Sequence, residues 1–175
     1  MSLKDVPTGD KAPEAFNVVI EISANSDPVK YEVDKKTGAL FVDRFMGTSM
    51  SYPLNYGYIP QTLGDDGDPL DVLVYTPFPL PPGVVVPCRV IGLLNMEDEA
   101  GVDTKLIALP TEKILPHFKH IQKLEDMSEL LLQQVKHFFE HYKDLEPGKW
   151  VKVTDWEGAD AAKKAINQAV QAAKK

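Results

Sequence analysis

The stretch Gly64-Asp65-Asp66-Gly67-Asp68-Pro69-Leu70-Asp71 sets four carboxylates within seven residues, broken by glycine and proline. Carboxylates crowded this closely repel one another, and a fold holds them together when a cation compensates. Gly67 permits a tight turn, and Pro69 fixes the chain ahead of Leu70. An all-oxygen donor set suits a hard cation such as Mg²⁺, Mn²⁺ or Ca²⁺ rather than a thiol-seeking one. The same residues also read as a solvated acidic turn, since Asp and Gly are ordinary turn formers. Spacing excludes an EF-hand loop: with Asp65 as position one the twelfth residue is Thr76, where a bidentate Glu is required.

A second acidic group, Glu97-Asp98-Glu99, precedes Asp103-Thr104-Lys105. Alone it reads as an exposed hairpin tip. Joined to the first loop it completes a site for more than one metal, and two metals about 4 Å apart clamp the attacking and leaving oxygens of an in-line phosphoryl transfer. A phosphate substrate also needs donors. Lys30 beside Tyr31 and Glu32, Arg44, Lys105 and the pair Tyr142-Lys143 are available, although each alone reads as a surface group. The segment Ser51-Tyr52-Pro53-Leu54-Asn55-Tyr56-Gly57-Tyr58 reads as a tyrosine-rich loop. Its phenols either pack with their tips in water or donate to phosphate oxygens.

A rival metal site lies in His137-Phe138-Phe139-Glu140-His141, which fits the H-x-x-E-H pattern of inverted zinc peptidases on a helical stretch. Two histidines four apart share a face and can reach one Zn²⁺. That pattern has only three fixed positions and leaves every acidic cluster unexplained, whereas a helical stripe accounts for Phe138 as core.

The elements that must position these groups read as strands first and helices last. Residues 17–22 form a short apolar run rich in β-branched side chains, and 30–34 and 39–45 flank a turn ending in Gly38 as a hairpin. Further strands are expected at 71–75, 84–94 and 105–109. Four prolines in 76–83 exclude a helix or central strand there and indicate a stiff loop. Asp126-Met127-Ser128-Glu129 resembles a capping box, and Leu131, Val135, Phe138 and Tyr142 then recur at helical spacing until Pro147-Gly148. Residues 159–174 read as a second helix. The order implies an α+β fold with helices packed outside a small sheet or barrel.

The 175 residues suffice for one domain, 1–175, with a substantial core, and 43% hydrophobic with 26% charged residues is ordinary for a globular chain. No apolar run approaches the roughly 20 residues of a membrane span, and residues 1–7 lack a signal-peptide core, so a cytoplasmic protein with no membrane partner is expected. The single cysteine, Cys88, follows Val84-Val85-Val86-Pro87 and reads as a buried thiol. A net charge of −7 argues against non-specific nucleic-acid binding. It leaves room for a polyanion bound through metal cations that invert the local sign.

Together these residues closely resemble the soluble family I inorganic pyrophosphatases in their short bacterial form. Asp66-Gly67-Asp68-Pro69-Leu70-Asp71-Val72 matches the family signature. Val18 to Ile22, Lys30-Tyr31-Glu32, Phe41-Val42-Asp43-Arg44, Tyr52 to Tyr58 and His141-Tyr142-Lys143-Asp144-Leu145 look like family motifs in family order. The resemblance runs from about residue 3 to about residue 160. It implies a five-stranded OB-like β-barrel with flanking α-helices, and hydrolysis of pyrophosphate to two phosphates. It implies several Mg²⁺ ions, with Mn²⁺ or Zn²⁺ as possible substitutes. By the same resemblance Asp66, Asp71 and Asp103 hold the first metal, Asp71 also reaches the second, Asp98 and Asp103 bind a further one, and Glu21 and Glu32 stand nearby. Asp68 accepts a proton from a water shared by the first two metals. Lys30, Arg44, Tyr56, Lys105, Tyr142 and Lys143 bind the phosphates, with Tyr52 close by. A homohexamer built as a dimer of trimers is also implied, with His137 and His141 at a contact between trimers. Two other readings remain: an OB-like module that binds metal or oligonucleotide without catalysis, and a related phosphohydrolase acting on nucleotides.

Overall fold

The computed structural model describes residues 2–175. Nine strands and two α-helices follow one another as β1 (Phe16–Ile22), β2 (Val29–Val33), β3 (Leu40–Phe45), β4 (Asn55–Tyr58), β5 (Asp71–Val74), β6 (Val85–Asp98), β7 (Gly101–Val102), β8 (Lys105–Pro110), α1 (Glu129–His141), β9 (Val151–Gly158) and α2 (Ala159–Ala172). The pairings β1-β4-β5-β8-β6 return from β6 to β1, so five strands close into a ring. Within it β5 and β8 run parallel, and the other contacts are antiparallel. The short strand β7 and the strand β9 add to β6, and β2 pairs with β3 in a separate two-stranded sheet.

Both faces of the ring strands are covered, which is why β5 and β8 read as unbroken apolar runs rather than as alternation. Leu73, Ile107 and Leu109 pack with Val135, Phe138 and Phe139 of α1. Their neighbours Val72, Val74, Leu106 and Ala108 pack with Ala162 and Ile166 of α2. The period of two along a strand thus sends alternate side chains into two cores. Cys88 is fully buried in the second, as its apolar surroundings in the sequence imply.

The 30–34 and 39–45 segments pair as the hairpin β2–β3, and 76–83 is a loop. Three expectations need correction. Residues 55–58 are a strand rather than part of a tyrosine-rich loop. Asn55 and Gly57 are poor strand formers, and pairing with β1 on one side and β5 on the other overrides them. A Cβ on Gly57 would stand 2.0 Å from the Val19 carbonyl oxygen, so close strand approach requires glycine. Residues 151–158 form a strand that the sequence does not announce, since β9 pairs only β6 and is mostly exposed. Helix α1 stops at His141, not at Pro147, and is capped by Ser128, whose hydroxyl accepts from Leu131 N at 3.4 Å. Asp126 closes the preceding turn instead, accepting from the Gln122 and Lys123 amides.

Asn55 ties three segments together behind the cleft. Its Oδ1 accepts from Ala24 N at 3.1 Å and Leu80 N at 2.9 Å, and its Nδ2 donates to Val74 O at 2.9 Å and Thr76 Oγ1 at 2.8 Å. The residue is 1% exposed, and truncating it strips four groups of their partner, among them the carbonyl of the fully buried Val74. Asn55→Ala is expected to lower unfolding stability by roughly 2–4 kcal/mol in urea titration with an unchanged m-value. A loss below about 1 kcal/mol would contradict this account of the residue.

Candidate active site

A cleft of about 870 Å³ opens at one end of the ring, and every metal, phosphate and proton-accepting side chain that the family resemblance implies lines it. Glu21 comes from the end of β1, Lys30 and Glu32 from β2, and Arg44 from β3. Tyr56 comes from β4, Asp71 from the start of β5, Asp98 from the end of β6 and Lys105 from the start of β8. Tyr52, Asp66, Asp68 and Asp103 sit on connections, and Tyr142 and Lys143 follow α1. Strand ends are where backbone pairing fixes a side chain's direction while leaving its head free.

Lys105 stands between two carboxylates. The parallel register of β5 and β8 sets Asp71 opposite Lys105. The ammonium lies 2.5 Å from Asp71 Oδ2 and 2.8 Å from Asp103 Oδ1, in a residue 3% exposed. Desolvation opposes its charge, but Asp71 and Asp103 outweigh it and hold Lys105 protonated well above the ordinary lysine range. The same ammonium lies 5.4 Å from the Tyr56 ring centroid and 5.7 Å from that of Phe139. On the next wall Lys143 donates to Asp98 Oδ2 at 2.9 Å, and Glu99 lies 3.4 Å away. Asp98 is itself 8% exposed, so the acidic hairpin formed by β6 and β7 carries one inward-facing carboxylate rather than a wholly solvated tip.

The carboxylates still outnumber the cations that face them. Burial, and then the neighbouring carboxylates Asp71 and Asp98, hold Asp103 above the usual range against the pull of Lys105. Burial and the charges of Asp103 and Asp68 also raise Asp66. Burial pushes Glu21 up to about 8, with Asp71 and Glu32 adding, although its Oε1 accepts from Val33 N at 2.8 Å. Such a set is short of positive charge. Hard oxygen donors that outnumber the facing cations fit Mg²⁺ in donor type and in charge. Among the described residues no three carboxylate or imidazole groups converge on one point, and Asp71 and Asp103 converge on Lys105 instead.

Aromatic rings brace the phenols. Tyr52 packs on Phe138 at 4.5 Å and on Tyr56 at 4.9 Å, and Tyr142 stacks on Phe138 at 5.2 Å. Burial raises Tyr52, Tyr56 and Tyr142 above the ordinary phenol range, so each keeps its proton and remains a hydrogen-bond donor.

Lys35 and Lys149 also line the cleft and were not singled out from the sequence, and Tyr58 and Glu99, named there only as members of their segments, line it as well. Lys35 sits in the β2–β3 turn, where a lysine signals only solvent, yet its ammonium is 2.5 Å from Asp68 Oδ1. The histidine pair lies elsewhere. The His137 and His141 rings are 4.7 Å apart on an exposed part of α1, and His141 Nδ1 is 2.8 Å from Asp144 Oδ2. Neither lines the cleft, His141 is engaged by Asp144 and Glu140 pairs with Lys136, which leaves the zinc-peptidase reading without support.

A family model described as inorganic pyrophosphatase matches residues 18–174. An inorganic pyrophosphatase of Yersinia pestis is 60% identical over 175 residues, covering 100% of both chains. One of Escherichia coli (strain K12) is 60% identical over 174 residues, covering 99% of each. Among solved structures, an inorganic pyrophosphatase of Thermus thermophilus superposes with a TM-score of 0.94 at 46% identity, covering 100% of both chains. One of Coxiella burnetii gives 0.93 at 54% identity, covering 95% of this chain and 99% of that one.

The raised Glu21 carboxyl has a consequence for stability. The folded protein keeps a proton there that the unfolded chain releases near 4.5, so in metal-free protein stability falls as pH rises from 4.5 through about 8. Glu21→Gln keeps the acceptor for Val33 N and removes the charge. The metal-free variant is expected to melt at least about 5 °C above metal-free wild type at pH 9, with the gap closing towards pH 5. Equal midpoints at pH 9 would contradict the burial of an ionised Glu21.

Proposed function

We propose that this chain, which belongs to the inorganic pyrophosphatase family, hydrolyses pyrophosphate to two phosphates in this cleft, with its carboxylates as the Mg²⁺ site. The observation that carries the reading is the convergence of the acidic, cationic and phenolic side chains from distant parts of the sequence on one cleft of about 870 Å³.

Asp66, Asp71 and Asp103 would hold a first Mg²⁺, Asp71 would reach a second, and Asp98 with Asp103 would hold one that arrives with the substrate, with Glu21 and Glu32 beside them. Bound there, the ions would neutralise phosphate charge and acidify the attacking water. Asp68 would accept the proton of that water. Pyrophosphate has no apolar surface for a hydrophobic pocket to grip, so its affinity comes from charge-assisted hydrogen bonds. Lys30, Arg44, Lys105 and Lys143 supply the charge, and Tyr56 and Tyr142 supply hydroxyl donors, with Tyr52 packed behind them. Lys105 is held by Asp71 and Asp103 until it turns to a phosphate oxygen. Donors fixed by packing in a low-dielectric wall need little rearrangement as charge moves to the leaving phosphate.

The closed ring of five strands supports reading the scaffold as an OB-like barrel within one catalytic unit. Among the described residues no helix is long and apolar enough to cross a membrane. A cytoplasmic homohexamer, a dimer of trimers, belongs to the same proposal.

The direct test is phosphate release from pyrophosphate with Mg²⁺. Wild type is expected to turn over rapidly, and Asp71→Ala to lose at least about 100-fold in kcat. The double variant His137→Ala, His141→Ala is expected to keep its chemistry. No phosphate release with any divalent metal would overturn the reading in favour of a non-catalytic binding module.

A further inference from the structure

Arg44 reaches the cleft from β3, in a two-stranded sheet separate from the ring. A long side chain on such a hairpin needs its head fixed if it is to meet a phosphate at a set place. The contact that fixes it is an ion pair with Glu146, Nη1 to Oε1 at 2.9 Å. Asp43 is a poor alternative, at 3.9 Å from Arg44 Nε and 4.0 Å from Lys30.

Glu146 does not line the cleft. It belongs to the turn after α1, where its amide donates to Lys143 O at 2.9 Å and its carbonyl accepts from Lys149 N at 3.2 Å. That turn also carries Tyr142 and Lys143. Gly47 abuts it from the hairpin side, where an added Cβ would lie 3.6 Å from Glu146 Cγ. The pairing is also incomplete: Arg44 Nε and Glu146 Oε2 are both buried without a hydrogen-bond partner. A half-buried carboxylate that spends only one oxygen on a guanidinium and leaves the other buried and unpaired is a poor stabilising device. It suits an anchor, because one terminal nitrogen held by charge leaves the rest of the guanidinium fork for an oxyanion.

We infer that Glu146 is a positioning residue that holds the Arg44 guanidinium for a substrate phosphate and couples the β2–β3 hairpin to the turn bearing Tyr142 and Lys143. The inference rests on the reading of Arg44 as a phosphate ligand of a pyrophosphate hydrolase.

The test compares E146A, E146Q, E146D, R44A and the E146A/R44A double variant in two readouts. These are steady-state hydrolysis of pyrophosphate with Mg²⁺, and calorimetric affinity for methylenediphosphonate, a pyrophosphate analogue with a non-hydrolysable bridge. E146A is expected to lower kcat/KM about ten-fold, mainly through KM, and to weaken analogue binding to match. E146Q keeps the Oε1 acceptor and is expected to recover most of the loss. E146D keeps the charge but lacks the reach, and is expected to resemble E146A; it serves in place of E146A if that variant does not fold. In the R44A background E146A is expected to add less than about two-fold. Independent, multiplying losses from E146A and R44A, or an E146A variant with wild-type KM and analogue affinity, would overturn the inference while leaving the hydrolase reading intact. Wild type that releases no phosphate would remove both.

Discussion

A buried ammonium shared by two carboxylates governs how the other charged groups at this end of the ring are arranged. Lys105 lies within hydrogen-bond distance of Asp71 and Asp103 and is almost wholly removed from water. Taking those charges out of solvent is unfavourable unless they meet each other in good geometry. The parallel pairing of β5 with β8 provides that geometry, because it sets Asp71 and Lys105 opposite one another by backbone register. One ammonium does not balance Asp66, Asp71, Asp103 and the nearby Glu21, and the carboxyls of Glu21, Asp66 and Asp103 are raised first by burial and then by their carboxylate neighbours. That imbalance, met by metal cations, reconciles an acidic chain of net charge −7 with an anionic substrate.

The ring makes such a cluster mechanically possible. Ring strands packed on both faces, between α1 and α2, have little freedom to let like charges drift apart. Close approach of β4 to β1, which Gly57 alone permits, brings Tyr56 to the wall beside Lys105. Tyr52, Phe138 and Tyr142 then stack behind it, so helix packing and phenol placement are one arrangement. The β2–β3 hairpin is the exception. It contributes Lys30, Glu32 and Arg44 without joining the ring, and side-chain contacts such as Arg44 to Glu146 and Lys35 to Asp68 bind it across the cleft.

Local chemistry was legible in the sequence wherever it was concentrated. The acidic loop at 65–71, the hairpin turn at Gly38, the proline-rich loop and the buried Cys88 each follow from residues within a few positions of one another. Three strands were not legible, the two-residue β7 among them. Asn55 and Gly57 disfavour a strand by themselves, and β4 exists because β1 and β5 flank it. The mostly exposed β9 sets Val151, Val153 and Trp156 on the first core at uneven spacing and so lacks a clean alternation. Contacts such as Lys143 with Asp98, 45 residues apart, carry no local signal, and only the family resemblance brought their partners into one list. Lys35 and Glu146 escaped even that, since a turn lysine and a glutamate after a helix look like solvated surface until the folded partner is known.

Proton counting during Mg²⁺ binding measures the charge shortfall directly. Metal-free protein would be titrated calorimetrically with MgCl₂ at pH 7 and at pH 9, each in two buffers of different ionisation enthalpy. The account predicts saturable binding with proton release at pH 7 and less release at pH 9, where Glu21 has already lost its proton. Saturable binding with no proton release at pH 7, or no saturable binding at either pH, would contradict the claim that this cleft is built around carboxylates awaiting a cation.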